Sequence, residues 1–521
     1  MVYVRRESNA DRSARGDGIA PSSRVSKSGA GWGFCEPAGF EPPQVDGVEQ
    51  RFSWLDPRPL WDSRNDVLAR LLGDPTNERR RRWIAELGPS DTDRIVTDFA
   101  GDETAFVVLG DTGEGDASQY AVVTPLIRRS EGCAFLFLCS DLVYPAGGIE
   151  EFGRKVLSPY RGFPGPIFGI PGNHDWYDDA DGFMYWFCGA RKRPRRARRM
   201  PLSRAWWRDR LWRRSPQARV KELERIEQLR PAPSQPGPYF AIDAGPLRLV
   251  AIDAGLGGPL DRDQGAWLRR VSAGSRPKIL LTGKPLFANG LRHVRPIEDG
   301  GTINGIVADE ANHYIATIGG DVHNYQRYLV PLKDGRRQVH IVSGGGGAFM
   351  HETHTIPRID PDRCGGAREE DVRLYPLRGD SLARYSQLYA RRLGTLGQML
   401  VIPPDAATAI MGKRLGMQPV RHSAQRARPG PWQSTSAAIL RGLPGRPHGP
   451  LHFPFSVLLD WNDPPLFKHF LRVDADAAGL HVRCYGVSGC RDAEQRPPVE
   501  DHLVAEPGRK GVWDWRLAGP A

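Results

Sequence analysis

Short apolar runs recur along the middle of the chain, and most of them end in a cluster of glycine and polar residues. Near-continuous apolar runs of this length predict strands that are buried on both faces. The runs lie at residues 104–109, 134–139, 166–170, 247–252, 278–282, 314–318 and 338–342. Helical patterns at residues 120–129 and 263–271 fall between them. Together these elements predict a layered α/β domain.

The segments on either side follow other patterns. Residues 1–45 are rich in Ser, Gly, Arg and Pro and predict a flexible tail, and residues 46–100 predict a helical lead-in. The main domain is expected at residues 101–355, with a basic helical insertion at about 189–232 that is crowded with Arg and Trp. Residues 356–521 predict a C-terminal extension of mixed helix and strand. Within it we expect a helix at 368–398, a linker at 414–450 and strands at 456–460, 467–473 and 479–485.

Composition limits the possible partners and compartments. The chain has 521 residues and a net charge of +11, which suits a phosphate-bearing or otherwise anionic partner. The sequence has no apolar run of membrane-spanning length, and its N-terminus lacks the apolar core of a secretory signal. The seven cysteines are scattered, which argues against a disulfide framework or a structural zinc site. We therefore expect a cytoplasmic protein.

Polar side chains follow the ends of four predicted strands, where α/β sheets place their sites. They are Asp111, Asp141, Tyr144, Asn173, His174, Asp321 and His323. Mixed oxygen and nitrogen donors at one sheet edge predict a site for a divalent or trivalent metal. His174 can give or take a proton near neutral pH, and the adjacent Asp175 can orient its imidazole.

Four short blocks carry a family resemblance. They are Gly110-Asp111-Thr112-Gly113, Ser140-Asp141-Leu142-Val143-Tyr144, Gly172-Asn173-His174-Asp175 and Gly320-Asp321-Val322-His323. In their order and spacing the sequence resembles the calcineurin-like metallophosphoesterase superfamily, and within it the purple acid phosphatase-like branch. The resemblance covers residues 104–350 and implies an α/β/β/α sandwich. It also implies a hydrolase of phosphomonoesters or phosphodiesters that uses metal-bound hydroxide, with His174 as general acid and Asp175 as its partner.

The resemblance further implies a dinuclear centre, with Fe, Mn, Mg and Zn as candidate metals. One metal would take Asp111, Asp141, Tyr144 and His323. The other would take Asp141, Asn173 and Asp321, with Asp141 as the bridge. Many superfamily members carry His at the position of Gly113 and lack the tyrosine, so one ligand is expected to replace another. A phenolate ligand requires a strongly acidic metal such as ferric iron, because the ordinary pKa of tyrosine is about 10.

Two positions depart from the family pattern. Gly283 stands where the family has a metal-binding His, and Asp321 stands where it has the first His of a Gly-His-x-His block. The exchange of imidazoles for a carboxylate and a gap favours Mg, Mn or Fe over Zn at the second metal. Water or another His could fill the gap, and the candidates are His293, His351 and His354.

Two other functions remain open from the sequence. The missing ligand at Gly283 is compatible with a non-catalytic scaffold built on a degenerate phosphatase domain. The Arg-rich insertion is compatible with a nuclease or phosphodiesterase that holds a polyanion, although a helical cap over the active site explains the same composition. The run of four glycines at 344–347 is expected either to approach a phosphate or to form a tight turn beside the metal site.

Overall fold

The computed structural model describes residues 57–90, 92–214, 235–419, 421–442, 464–490, 497–508 and 513–518. The predicted tail at 1–45 and the predicted strand at 456–460 lie outside these ranges. The described chain forms the following strands in order: β1 Ile95–Ala100, β2 Thr104–Leu109, β3 Phe135–Cys139, β4 Ile167–Ile170, β5 Phe240–Gly245, β6 Leu247–Ile252, β7 Lys278–Thr282, β8 Phe287–Ala288, β9 Leu291–Arg292, β10 Tyr314–Gly319, β11 Tyr325–Pro331, β12 Arg337–Ser343, β13 Val372–Tyr375, β14 Lys468–Ala475, β15 Leu480–Val487, β16 Val499–Pro507 and β17 Trp513–Ala518.

Helices connect and cover these strands. They are α1 Pro57–Asp62, α2 Asn65–Leu72, α3 Thr76–Leu87, α4 Ala117–Arg129, α5 Asn173–Trp176, α6 Asp181–Trp186, α7 Arg204–Leu211, α8 Arg262–Ser272, α9 Ile303–Ala308, α10 Arg378–Gln398, α11 Pro404–Leu415, α12 His422–Arg426 and α13 Pro431–Gly442. Short turns of 3₁₀ or π helix occur at Gly153–Leu157, Pro159–Gly162, Glu310–Asn312 and Glu369–Asp371. Side-chain caps begin several of the helices: Asp116 accepts from the backbone of Ser118 and Gln119 at the start of α4.

Two mixed sheets form the centre of the fold. The eight-stranded sheet has the order β1-β5-β6-β7-β10-β12-β11-β13, and the seven-stranded sheet has the order β17-β16-β15-β14-β2-β3-β4. Within them, β6, β7, β10 and β12 run parallel, as do β2, β3 and β4. Their carboxyl ends therefore collect at one edge of each sheet, as the sequence predicts for a site.

The two sheets pack face to face, with helices outside them. Alternate side chains of a strand point to opposite faces. On β2, Phe106 joins a cluster shared by both sheets, whereas Val107 joins a cluster with α4. The rings of Phe137 on β3 and Phe240 on β5 lie 6.1 Å apart between the sheets. Helix α8 covers the outer face of the eight-stranded sheet through Trp267. This arrangement confirms the expected α/β/β/α sandwich.

The segments on either side of the expected main domain are part of the two sheets. Strand β1, which falls in the expected helical lead-in, pairs parallel with β5. Strand β13 pairs with β11, and β14 pairs with β2. The expected boundaries at residues 100 and 355 therefore do not separate units of the fold. They were misplaced because the hydrophobic pattern of a strand does not show which sheet the strand joins. The linker expected at 414–450 was also wrong in part, since α12 and α13 lie within it.

The described part of the basic insertion contains one helix, α7, and several of its arginines pair with carboxylates of the protein itself. The pairs include Arg199–Glu78 at 2.5 Å, Arg213–Asp62 at 2.9 Å and Arg214–Asp181 at 3.0 Å. These contacts join the insertion to α1, α3 and the start of α6. They attach this segment to the domain, and binding of a polyanion by its exposed arginines stays a prediction.

The described residues also bear on the expected compartment. No helix within them is long and apolar enough to cross a membrane. Cys133, Cys139, Cys188, Cys364 and Cys484 are free thiols, whereas Cys490 is disulfide-bonded. A disulfide is at odds with a fully reducing environment, so the cytoplasmic location remains a prediction.

Candidate active site

Loops from both sheets meet at the carboxyl ends of the parallel strands. The seven-stranded sheet contributes Asp111 after β2, Asp141 after β3 and Asn173 after β4. The eight-stranded sheet contributes Lys284 after β7, and Asp321 and His323 after β10. The sheets are tied together at this edge, because the backbone N–H of Gly110 donates to the carbonyl of Ser343 at 2.8 Å.

Four of the predicted ligands surround one point, and we call them the first cluster: Asp111, Asp141, Tyr144 and His323. The Tyr144 hydroxyl lies 3.2 Å from Asp111 Oδ1, 3.2 Å from Asp141 Oδ2 and 3.1 Å from His323 Nε2. All four residues are buried. His323 Nδ1–H donates a hydrogen bond to the carbonyl oxygen of Phe349 at 2.8 Å, so Nε2 presents a lone pair to the tyrosine.

The first cluster concentrates negative charge in a buried place. Burial, together with the charges of Asp141 and Asp321, raises the pKa of Asp111 well above its usual value. Burial and the two aspartates of the cluster likewise raise the pKa of Tyr144. Burial lowers the pKa of His323 to about 3, so its imidazole is neutral. Buried carboxylates with a neutral imidazole beside them would be stabilised strongly by a cation.

The other two predicted ligands, Asn173 and Asp321, contact the ammonium group of Lys284. We call these three residues the second cluster. Lys284 Nζ donates to Asn173 Oδ1 at 3.1 Å and forms an ion pair with Asp321 Oδ1. The two clusters share a contact, since the backbone N–H of Asp321 donates to Asp111 Oδ2 at 2.9 Å. Lys284 thus contacts two of the three residues that the family resemblance assigns to a second metal.

The three histidines considered for the gap at Gly283 have other contacts. His351 stacks on His323 with ring centroids 4.2 Å apart. His354 lies 2.9 Å from the hydroxyl of Ser381, and His293 Nε2 lies 3.3 Å from the carbonyl of Ala288. The group that contacts both Asn173 and Asp321 is the Lys284 ammonium, which sequence reasoning did not predict as part of the site. Lys284 could have been found from the sequence, because it directly follows Gly283 at the end of a predicted strand.

His174 lies against the first cluster, and a backbone carbonyl orients it. Its Nδ1 is 2.8 Å from the carbonyl oxygen of Pro145, and its ring packs on Tyr144 with centroids 4.4 Å apart. Its backbone N–H donates to Asp141 Oδ1 at 2.8 Å. His174 and Asn173 are half-buried, so a ligand can reach the site from their side.

Asp175 holds loops instead of the imidazole. Its Oδ2 accepts from the backbone N–H groups of Leu142 at 3.0 Å and Gly172 at 2.9 Å. Burial and the charge of Asp141 raise its pKa to about 8. The expectation that Asp175 orients His174 was therefore wrong, because the group at His174 Nδ1 is the carbonyl of Pro145. The side chain fixes the loop that carries Asp141 against the turn that carries Asn173.

The backbone at the site is held in an uncommon conformation. Asp111, Ser140, Asp141 and Asp321 have φ angles of 56°, 77°, 25° and 68°, in the left-handed region. Non-glycine residues adopt this region rarely, and such residues concentrate at functional sites where the surrounding fold maintains them. All three aspartates of the two clusters are therefore aimed by strained turns directly after strands.

Two glycines let the carboxylates approach the backbone closely. A Cβ atom at Gly172 would collide with Asp141 Oδ1, and one at Gly344 would lie 2.7 Å from Asp111 Oδ2. Only glycine fits at such approaches. The glycine run at 344–347 packs against the loop that carries Asp111, since the backbone N–H of Gly346 donates to the carbonyl of Gly110 at 2.9 Å. Its approach to a phosphate stays a prediction.

The donor set fits one cation more readily than two. Within the described ranges, no group of three or more His, Cys, Asp or Glu side chains is arranged to hold a metal ion as it stands. The physical reason is that Tyr144 occupies the centre of the first cluster and Lys284 that of the second. In the first cluster the central group is itself a potential ligand, and the residue types suit a hard or borderline metal. In the second cluster the central group is a cation, which does not fit a metal.

No protein-family model and no curated protein matches the chain. Among solved structures, it is similar to the purple acid phosphatase PPD1 from yellow lupin (Lupinus luteus) seeds, with a TM-score of 0.37 and 12% identity over 79% of this chain and 55% of that chain. PhoD aligns with a TM-score of 0.35 and 10% identity over 81% of this chain and 72% of that chain. GAP50, the anchor in the inner membrane complex of Plasmodium, aligns with a TM-score of 0.32 and 12% identity over 48% of this chain and 74% of that chain.

These likenesses are distant. The chain spans about half the length of the lupin protein. At identities of 12% or lower and TM-scores below 0.5, they carry no conclusion about activity. The chemistry of the site must therefore be derived from its own side chains.

Proposed function

We propose that the protein is a metal-dependent hydrolase of phosphoesters. The observation that carries this proposal is the first cluster, where two buried carboxylates, a tyrosine and a neutral imidazole converge beside a half-buried histidine. A buried set of anionic and neutral donors without a matching cation is suited to bind a metal. A metal ion held there would polarise a phosphoryl oxygen and activate water at neutral pH.

The side chains of the protein supply the other parts of the reaction. Since Nδ1 of His174 donates to the Pro145 carbonyl, Nε2 is the nitrogen that gives a proton to the leaving oxygen when the ring is the doubly protonated imidazolium. Lys284 places a positive charge next to Asn173, where it can offset charge on the equatorial oxygens of the phosphoryl group. Asp175 acts as a positioning residue, because it fixes the two loops that carry Asp141 and Asn173.

The substitution Asp141→Asn tests this function. The Asp141 carboxylate contacts Tyr144 and the backbone of His174, so its loss should disable both the metal-binding position and the proton donor. We expect hydrolysis of para-nitrophenyl phosphate and of bis-para-nitrophenyl phosphate by metal-reconstituted protein to fall to background. Asp362→Asn, at an exposed position, is the matched control. Turnover by Asp141→Asn at the wild-type rate would overturn the proposal.

A second candidate is a non-catalytic phosphate-binding or scaffold protein, which the Lys284 ammonium favours because it fills the place of a catalytic metal. The two functions differ in metal content. A hydrolase should retain a stoichiometric metal after gel filtration, whereas a scaffold should retain little. Tight metal binding together with turnover would exclude the scaffold.

A further inference from the structure

We infer that the Lys284 ammonium is a built-in cation that takes the place of the second metal, so that the site binds one metal ion per chain. The inference rests on the proposed function for its setting, but its test does not depend on turnover. It concerns the second cluster, where the residues present do not fit a metal ion.

The contacts of Lys284 carry the inference. Its Nζ donates to Asn173 Oδ1 at 3.1 Å and pairs with Asp321 Oδ1. An amide oxygen and a carboxylate oxygen are ligands of hard cations, and here both are directed at an ammonium group. The side chain of Lys284 is 13% exposed, so the contact is largely shielded from water. Screening by solvent is therefore weak, and the pair is more than a surface salt bridge.

The charges around the second cluster point the same way. Arg295 lies close enough to Asp321 to interact with it electrostatically, and it lines the same small cleft as Lys284. A divalent ion at this place would face one ammonium group in contact and one guanidinium group nearby. Among the described residues, no Lys or Arg side chain is in contact with the carboxylates of the first cluster. Charge balance thus favours a metal in the first cluster and disfavours one in the second.

Packing does not account for the missing ligand at Gly283. A Cβ atom there would meet no atom nearer than the carbonyl oxygen of Pro171, at 3.4 Å. This is an ordinary van der Waals contact, so a residue with a side chain would be accommodated at its Cβ. Gly283 thus supplies no ligand, and the adjacent Lys284 directs a fixed cation at the oxygens of Asn173 and Asp321 instead.

The replacement has a chemical consequence. An ammonium group has three N–H donors, and Lys284 uses two of them on Asn173 and Asp321. One N–H group and the positive charge remain for a phosphoryl oxygen, as in phosphate-binding lysines. An ammonium group cannot act as a Lewis acid toward water in the way that a metal ion does. Lys284 would therefore contribute to binding the phosphoryl group, while activation of water would depend on the first cluster alone.

Metal stoichiometry tests the inference. Wild-type protein, Lys284→Gln and the surface control Lys413→Gln are loaded with excess Mn²⁺, passed through gel filtration and analysed by mass spectrometry of the metal. The same series is repeated with iron. We expect one ion per chain for the wild type and the control. We expect two for Lys284→Gln, because the oxygens of Asn173 and Asp321 then lack the ammonium group that competes for them.

Two results would overturn the inference: two ions per wild-type chain, or a folded Lys284→Gln that binds no more metal than the wild type. Folding is checked by circular dichroism, and Lys284→Ala replaces the Gln variant if that variant does not fold. The wild-type measurement is decisive by itself if two ions are found. One ion in the wild type and two in the variant without hydrolysis would support this inference and refute the proposed function. Hydrolysis by a wild-type protein that binds two ions would support the proposed function and refute this inference.

Discussion

The two clusters of the site contain similar oxygen donors but balance their charge differently. In the first cluster, Asp111 and Asp141 face a phenol and a neutral imidazole. In the second, Asp321 faces the ammonium group of Lys284. A buried carboxylate needs a compensating charge, and this charge can come from a bound ion or from the chain. The comparison teaches that a side chain can replace one half of a metal centre while the other half keeps its ligands.

The largest expected effect comes from matched substitutions in the two clusters. Asp111→Asn should lower metal affinity by more than the roughly 10–100-fold that is typical when a residue hydrogen-bonded to a metal ligand is replaced. Hydrolysis should be lost with it. Asp321→Asn should lower metal affinity less than that range, since its carboxylate pairs with Lys284. Isothermal titration with Mn²⁺ and aryl phosphate assays measure both. Equal losses of affinity in the two variants would contradict the division of the site.

His174 provides the next effect, because its ring packs on Tyr144 of the first cluster. His174→Gln should lower kcat by about 10²–10⁴-fold if the imidazole protonates the leaving oxygen. The loss should be larger for phenyl phosphate, a poor leaving group, than for para-nitrophenyl phosphate. Bound metal should stay at the wild-type level, since the imidazole is not in the first cluster. An equal loss for both substrates would argue against proton donation.

Tyr144→Phe sharpens the assignment of the first cluster. The hydroxyl lies within 3.2 Å of both carboxylates and 3.1 Å from the imidazole, so it is the group placed to ligate a metal. We expect about 10–100-fold weaker metal binding, a range borrowed from groups that support a ligand. Protein reconstituted with ferric iron should also lose its visible phenolate absorption. If absorption and affinity are unchanged, the tyrosine is only a hydrogen-bond donor.

Much of the fold and of the site could be predicted from the sequence, because both depend on local patterns. Buried strands have continuous apolar runs, and polar residues directly after them lie at a sheet edge. This places Asp111, Asp141 and Asn173 together without any knowledge of the tertiary structure. The sandwich follows from the same runs, since strands buried on both faces need a layer on each side.

Other features depend on contacts between distant segments. The pairing of β14 with β2 joins residues more than 360 positions apart, as in the pair Leu471 and Val108, and no local pattern encodes it. The role of Lys284 also depends on tertiary structure, because its partner Asn173 is 111 residues away. The contacts of Asp175 were missed for a related reason. The carboxylate follows His174 in sequence, but in the fold it accepts hydrogen bonds from the backbone of Leu142 and Gly172.

A buried carboxyl outside both clusters gives the smallest effect and serves as a reference for them. Glu500 on β16 has its pKa raised to about 7, chiefly by burial, with Arg373 partly opposing the shift. In the unfolded chain its pKa is about 4.3. The folded state therefore binds the proton more tightly, and its contribution to stability is present below about pH 4 and is lost as pH rises through 7.

Wild-type protein should accordingly lose about 2–3 kcal/mol of unfolding free energy relative to Glu500→Gln between pH 5 and pH 8. Urea unfolding at both pH values measures the difference, with the exposed Glu131→Gln as control. Hydrolysis should be unaffected, and the pH effect should be the same with and without Mn²⁺. A metal-dependent pH effect at Glu500 would show that the metal influences buried carboxylates throughout the sheet, and the separate behaviour of the two clusters would then lose its local explanation.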